Sequence, residues 1–160
     1  MSPLFERCFE ILIGHEGGYV NDPNDRGGET KFGISKRAYP RVDIKALTLE
    51  QAKAIYAADC WTPIRGDDLA PELALLVFDC AVNSGVGCAV DLLQRACNVR
   101  RDGVLGKVTV AAASAVGVPA RFHLERAMYQ TKLGNWPSFG KGWCIRLATL
   151  PFQAAELRDS

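Results

Sequence analysis

Apolar residues recur at helical spacing from the first positions of the chain. Leu4, Phe5, Cys8, Phe9, Leu12 and Ile13 form one stripe, Ser2 offers a hydroxyl cap ahead of Pro3, and Gly14 is a natural stop. The pattern then changes. Glycines, Asn21, Pro23, Asn24 and the Gly27-Gly28 pair punctuate two short extended pieces, 18–21 and 30–34, which predicts a small β-hairpin over 16–34. Helical spacing returns at Thr48-Leu49-Glu50-Gln51, a capping box that opens a helix running to about position 60, where Trp61 and Pro63 end it. Further helices are predicted over 71–83, 86–97, 107–116, 119–133 and from about 140 to 157, with Pro151 as a candidate break. One hairpin among this many helices is an α+β fold, predominantly α-helical, with no internal repeat or low-complexity linker.

A chain of 160 residues buries roughly two thirds of its unfolded surface, enough for one core without staples. We therefore expect a single domain over 1–160 and a monomer. The net charge of +1 is spread without a dense basic run, which argues against nucleic acid as a partner, because phosphate binding needs a clustered positive footprint. Apolar runs are interrupted by Asp79 or by glycines, so no stable membrane insertion is expected. Six cysteines, at 8, 60, 80, 88, 97 and 144, contain no C-x-x-C pair and fall mostly inside apolar helical patterns, where they read as small core residues. Glu6, Arg7 and Glu10 stand where the apolar core of a signal peptide would lie. The expectation is synthesis in a reducing cytoplasm without a signal peptide, with release supplied from elsewhere.

Candidate chemistry concentrates in EGGYVNDPNDRGGET, residues 16–30. Glu16 follows the end of an apolar helix, Asp25 comes nine residues later and Thr30 fourteen. Hydrolysis of a glycosidic bond commonly needs a protonated carboxyl beside the leaving oxygen and an ionised one that positions or activates water. Unpaired carbonyls at a helix C-terminus and an adjoining apolar face both disfavour a negative charge, so Glu16 is suited to hold its proton. A polar turn would keep Asp25 ionised, and Thr30 on the returning strand could hold the attacking water. The bland alternative is that Asp25 and Thr30 are ordinary turn residues.

The string HEGGYVNDPNDRGGETKFGIS, residues 15–35, resembles the signature of the glycoside hydrolase family 108 muramidases, bacterial and phage lysozymes whose catalytic glutamate stands in the EGGY motif. That resemblance places the catalytic acid at Glu16. The order Glu, Asp, Thr on a hairpin also resembles the family 24 lysozymes of tailed phages, in which the threonine falls one residue further along. FDCAVNSG, residues 78–85, and LLQRACNVRRDGVLGKVT, residues 92–109, look like the C-terminal half of family 108, often described as a peptidoglycan-binding domain. The resemblance thus implies a lysozyme-like fold with a catalytic half over 1–85 and a helical peptidoglycan-binding-like half over 86–160. It implies peptidoglycan glycan strands as the substrate, the β-1,4 bond between N-acetylmuramic acid and N-acetylglucosamine as the point of cleavage, and no cofactor. The expected setting is an endolysin acting in the periplasm or on the cell wall after holin-type release.

Outside the hairpin, Asp79 and Asn83 are four apart and share a helix face. The bland reading is that Asn83 caps the helix end before Gly85; the resemblance favours a substrate contact for both. Tyr19, three residues after Glu16, is the aromatic best placed to stack on a sugar, and Trp143 and Arg146, one turn apart on the last helix, are candidates for the far wall of a cleft. Asp102-Gly103 reads as a structural turn. Other chemistries fail on spacing. A zinc protease would need His at 19, where Tyr stands; the chain has only His15 and His123, so a histidine-rich metal site is excluded. A calcium loop starting at Asp22 would end at Gly33 instead of an acid, and no G-x-S-x-G is present. Two other classes keep the scaffold: a catalytically inactive module that binds wall or a protein partner, which intact Glu16, Asp25 and Thr30 argue against, and a secretion-linked wall-remodelling protein using the same chemistry.

Overall fold

The computed structural model of the chain describes residues 1–14, 18–21 and 28–158. Among them are seven α-helices: α1 (Pro3–Ile13), α2 (Leu49–Tyr56), α3 (Pro71–Ser84), α4 (Val86–Ala96), α5 (Lys107–Ala113), α6 (Val118–Gln130) and α7 (Trp136–Arg158). A two-stranded antiparallel sheet, β1 (Thr30–Lys31) and β2 (Ile34–Ser35), lies between α1 and α2. None of the described helices is long and apolar enough to cross a membrane.

Local chemistry accounts for the first helices. Ser2 accepts a hydrogen bond from the Phe5 N–H, Pro3 occupies the first turn, and Gly14 closes the helix at φ 53°. At α2 the capping box is complete, with Thr48 Oγ1 accepting from the Gln51 N–H and Gln51 Oε1 accepting from the Thr48 N–H. The chain leaves α2 through a π-helical turn, Ala57–Trp61, which turns Trp61 into the core. There Phe5, Phe9, Tyr56, Trp61 and Phe78 pack edge-on and tilted, with centroids 5.3–6.4 Å apart.

The centre of the molecule is α3. Every residue from Leu73 to Ala81 is buried, because α1, α4, α6 and α7 all pack around this helix. The core is therefore shared between the N-terminal and C-terminal parts of the sequence. Behind it, the turn containing Asp102 and Gly103 is held by buried Gln94, whose Nε2 donates to Asp102 Oδ1 at 2.7 Å while its Oε1 accepts from the Gly103 N–H. This is the structural role expected of the Asp-Gly pair.

Two elements differ from the sequence expectation. The extended piece predicted over 30–34 is folded on itself: Lys31 pairs with Ile34 across a two-residue turn, Phe32-Gly33, with φ of 52° and 76°. Both central residues at positive φ make a type I′ turn. The piece over 18–21 joins this hairpin through one antiparallel bridge, Val20 to Thr30, with both N–H···O bonds at 2.8 Å. The last helix starts at Trp136 and runs through Pro151 without a break. Pro151 has no N–H for the Leu147 carbonyl, which would normally cost the helix a bond. Thr149 Oγ1 donates to the Ile145 carbonyl at 3.0 Å two residues before the proline.

Candidate active site

A groove of about 590 Å³ runs between the hairpin, the ends of α1 and α3 and the middle of α7. Its walls come from four parts of the chain. Leu12 and Ile13 close the end of α1, Thr30 and the Phe32-Gly33 turn form the hairpin side, Val82 and Asn83 end α3, and Arg146 projects from α7. Tyr56 anchors the hairpin turn from below, its hydroxyl donating to the Phe32 carbonyl at 3.0 Å. Burial pushes the Tyr56 phenol up to about 12, so it remains a donor at any physiological pH.

Beneath Asn83 and Arg146 lies a buried charge cluster. Asp79 is 0% exposed, and its carboxylate accepts from Arg146 Nε at 2.7 Å and forms an ion pair with Arg126 Nη2 on α6 at 2.6 Å. A second contact joins Arg146 Nη2 to the same carboxylate. Two guanidinium groups on one carboxylate leave the cluster net positive, and its positive side opens on the groove through Arg146. Asn83 Nδ2 donates to the Asp79 backbone carbonyl at 2.7 Å, and Asp79 Oδ2 lies 3.4 Å from the same nitrogen. The side chain therefore bends back over the last turn of α3 while still lining the groove.

A family model described as Glycosyl hydrolase 108 matches residues 9–85. A solved structure described as that of Brucella abortus SagA superposes with a TM-score of 0.87, at 32% identity over 98% of this chain and 96% of that one. No curated protein matches the sequence. The chain belongs to glycosyl hydrolase family 108. Its α+β architecture, helices with one small hairpin, is the lysozyme-like fold of that family. Membership makes the protein a glycoside hydrolase of a peptidoglycan-cleaving family.

In this family 108 enzyme the residues singled out by sequence fall in distinct places. Glu16 and Asp25 lie outside the described residues. Thr30 and Asn83 line the groove together with Arg146. Asp79 does not line it: its carboxylate is wholly covered and engaged by two arginines, so any influence it has on a ligand passes through Arg146 or Asn83. Tyr19 is exposed beside the hairpin, and its hydroxyl donates to Glu29 Oε1 at 2.7 Å, a bond that pushes its pKa up. Trp143 is half-buried one turn before Arg146, stacked on Phe139 at 6.0 Å and tilted against Trp136 at 5.9 Å. Neither aromatic is part of the groove wall, and the Trp143 group forms an exposed aromatic face on the first half of α7.

Sequence reasoning missed Arg126 and the Phe32-Gly33 turn. A signal for Arg126 was present: the buried positions of α6 are 118, 122, 126 and 130, a strict four-residue register in which an arginine breaks the apolar pattern. A cation at such a position demands a buried acid, and Asp79 in the apolar run of α3 is the matching anomaly.

Proposed function

We propose that this chain is a muramidase that hydrolyses the β-1,4 bond between N-acetylmuramic acid and N-acetylglucosamine, with Glu16 as the general acid. Glu16 gives its proton to the glycosidic oxygen as the bond to the anomeric carbon breaks. Asp25 and Thr30 serve the water that attacks that carbon, Asp25 as the ionised partner and Thr30 as the hydroxyl that orients it. Asn83 and Arg146 bind the glycan strand along the groove, and Tyr19 and Trp143 offer flanking stacking surfaces to a longer strand. The whole chain acts as one domain on the cell wall, the 86–160 half completing the core around α3.

The observation that carries this reading is the composition of the groove. Ile13, three residues before the EGGY motif, and Gly18 within it both line it, and facing them are a hydroxyl, an amide and a guanidinium fixed by a buried carboxylate. Such a wall of donors suits a polyhydroxylated, N-acetylated chain that also carries carboxylates, as peptidoglycan does.

The test is digestion of purified peptidoglycan followed by mass analysis of the fragments. A muramidase leaves N-acetylmuramic acid at the reducing end, with one water added per bond cut. Fragments ending in N-acetylglucosamine, or in anhydro-muramic acid, would replace the proposal with a glucosaminidase or a lytic transglycosylase. No release of glycan fragments, with wall binding retained, would make the chain an inactive binding module.

A further inference from the structure

A second groove, of about 430 Å³, opens between the end of α1 and the face of α7. Residues 11–14 form one wall, and Gly142, Ile145, Arg146, Thr149 and Gln153 line it from α7. Helical spacing puts these five positions on one stripe of α7. Leu12, Ile13 and Arg146 line this groove and the hairpin groove alike, so the two adjoin along those residues.

The length of the stripe sets the size of a ligand. From Gly142 to Gln153 the helix rises about 16 Å, which matches about five residues of extended peptide at about 3.3 Å each. The wall chemistry fits a peptide as well. Ile11 and Ile145 offer aliphatic surface to short apolar side chains. Thr149 Oγ1 donates its hydrogen to the Ile145 carbonyl at 3.0 Å, so its lone pairs are left to accept from an N–H. Gln153 is exposed and carries both a donor and an acceptor. Arg146 is the one charged residue among the described residues of the wall, and it stands where the two grooves adjoin, with positive charge for a carboxylate. At the Gly142 end the groove is open, since a Cβ built there would meet nothing within 4 Å.

We propose that the groove between α1 and α7 is a subsite for the peptide stem of peptidoglycan, the short carboxylate-bearing peptide that branches from the muramyl sugar, and that it makes stem-bearing glycan the preferred substrate. The inference rests on the reading that a peptidoglycan strand occupies the hairpin groove. Two adjoining grooves suit a branched ligand, and peptidoglycan branches at each muramyl residue. The stem leaves the strand beside Arg146, sets a carboxylate against the guanidinium and runs along α7. Its backbone N–H and C=O groups meet Thr149 and Gln153, and its small side chains lie against Ile11 and Ile145.

The experiment is titration of the Glu16→Gln chain with muramyl tetrasaccharides that carry their peptide stems or have been stripped of them by an amidase. Stems should tighten Kd about tenfold, the weight of one or two net hydrogen bonds. Gly142→Leu, added to this background, reads the groove itself. The open space around Gly142 and the better helix propensity of leucine let this variant fold, while its side chain enters the groove. Its unfolding midpoint should equal or exceed the parent's, stem-bearing and stripped fragments should bind it alike, and its affinity for the stripped fragment should be unchanged. Gln153→Ala should remove part of the same preference. Equal affinity of the Glu16→Gln chain for both fragments, no binding of either, or a preference that survives Gly142→Leu would overturn the proposal. The two readings fail separately: a stem preference with product ends other than N-acetylmuramic acid would replace the muramidase and keep the subsite, whereas muramic acid ends without a stem preference would do the reverse.

Discussion

Arg146 on α7 donates through Nε to Asp79 Oδ1 on α3 at 2.7 Å, and this one bond joins the groove wall to the centre of the core. The same carboxylate holds Arg126, which is only 1% exposed. A groove cation is thereby fixed by a group no ligand touches. Such an arrangement costs stability in desolvation and returns it in geometry, since a guanidinium held on one edge presents its remaining donors in a set direction.

Asp79→Asn should therefore act first on stability. Removing the charge leaves the buried Arg126 guanidinium uncompensated, and Arg126 Nε and Nη1 have no hydrogen-bond partner among the described residues to soften the loss. Breaking a buried pair in this way costs about 3–5 kcal/mol. Urea unfolding should show that loss, and Arg126→Met added to Asp79→Asn should recover part of it. A single variant as stable as the parent would show that the cluster carries no net buried charge.

Glu16→Gln keeps size and amide hydrogen bonding but removes the transferable proton. Lysis of peptidoglycan should fall by about a hundredfold or more, the usual weight of general acid catalysis. The unfolding midpoint should stay with the parent. Activity within a few-fold of the parent would take Glu16 out of the mechanism.

Thr30 and Asn83 stand on the groove and separate binding from turnover. Among the described residues Thr30 Oγ1 makes only a long contact, 3.4 Å, to the Gly28 carbonyl, so Thr30→Val should lower kcat with little change in thermal stability. Asn83→Ala should weaken glycan binding by about 1–3 kcal/mol, the cost of leaving ligand groups unpaired. Binding isotherms on a Glu16→Gln background measure the second effect without turnover. Variants that melt early yet retain per-molecule activity would return both residues to turn and cap roles.

Much of this fold is legible locally. Ser2 with Pro3, the Thr48–Gln51 box, Pro71 and the Gly85 turn each fix a helix end through bonds within four residues, so their sequence signals carry over unchanged. Where the expectation failed, the deciding partner lies far away in sequence. The 30–34 piece folds tightly because Tyr56, on α2, receives its turn. The Asp79–Arg126 pair spans 47 positions. For the site, the sequence named Arg146, Asp79 and Asn83 as candidates, while the Arg146–Asp79 pairing and the second arginine on that carboxylate come from packing between α3, α6 and α7.

Gly33 offers a test of the hairpin that shapes one groove wall. Its φ of 76° strains any side chain, and a Cβ there would sit 2.5 Å from the Tyr56 hydroxyl oxygen. Gly33→Ala should lose about 1–2 kcal/mol to backbone strain alone, and more to this contact. In a Tyr56→Phe background, which removes the oxygen, the same change should cost less, giving a non-additive double-mutant cycle. Strict additivity would mean that the turn and Tyr56 do not touch.

His123 predicts a pH dependence whose sign can be worked out. Burial leads in lowering its pKa below the ordinary 6.5, with the Arg126 charge acting in the same direction and the Leu147 carbonyl and Asp79 opposing. Between 6.5 and the lowered folded value the unfolded chain binds the extra proton and the folded chain does not. Stability therefore rises with pH across that window and is lost as the pH falls below 6.5. The slope is below about 1.4 kcal/mol per pH unit, since the ring is only half-buried. His123→Gln is polar and of similar reach but does not titrate, so it should lack this component while keeping the carboxylate contributions at lower pH. Urea unfolding of both proteins at pH 7 and near pH 5.5 measures the difference. Equal losses of stability in the two would show that His123 takes up its proton in the folded chain as readily as in the unfolded one.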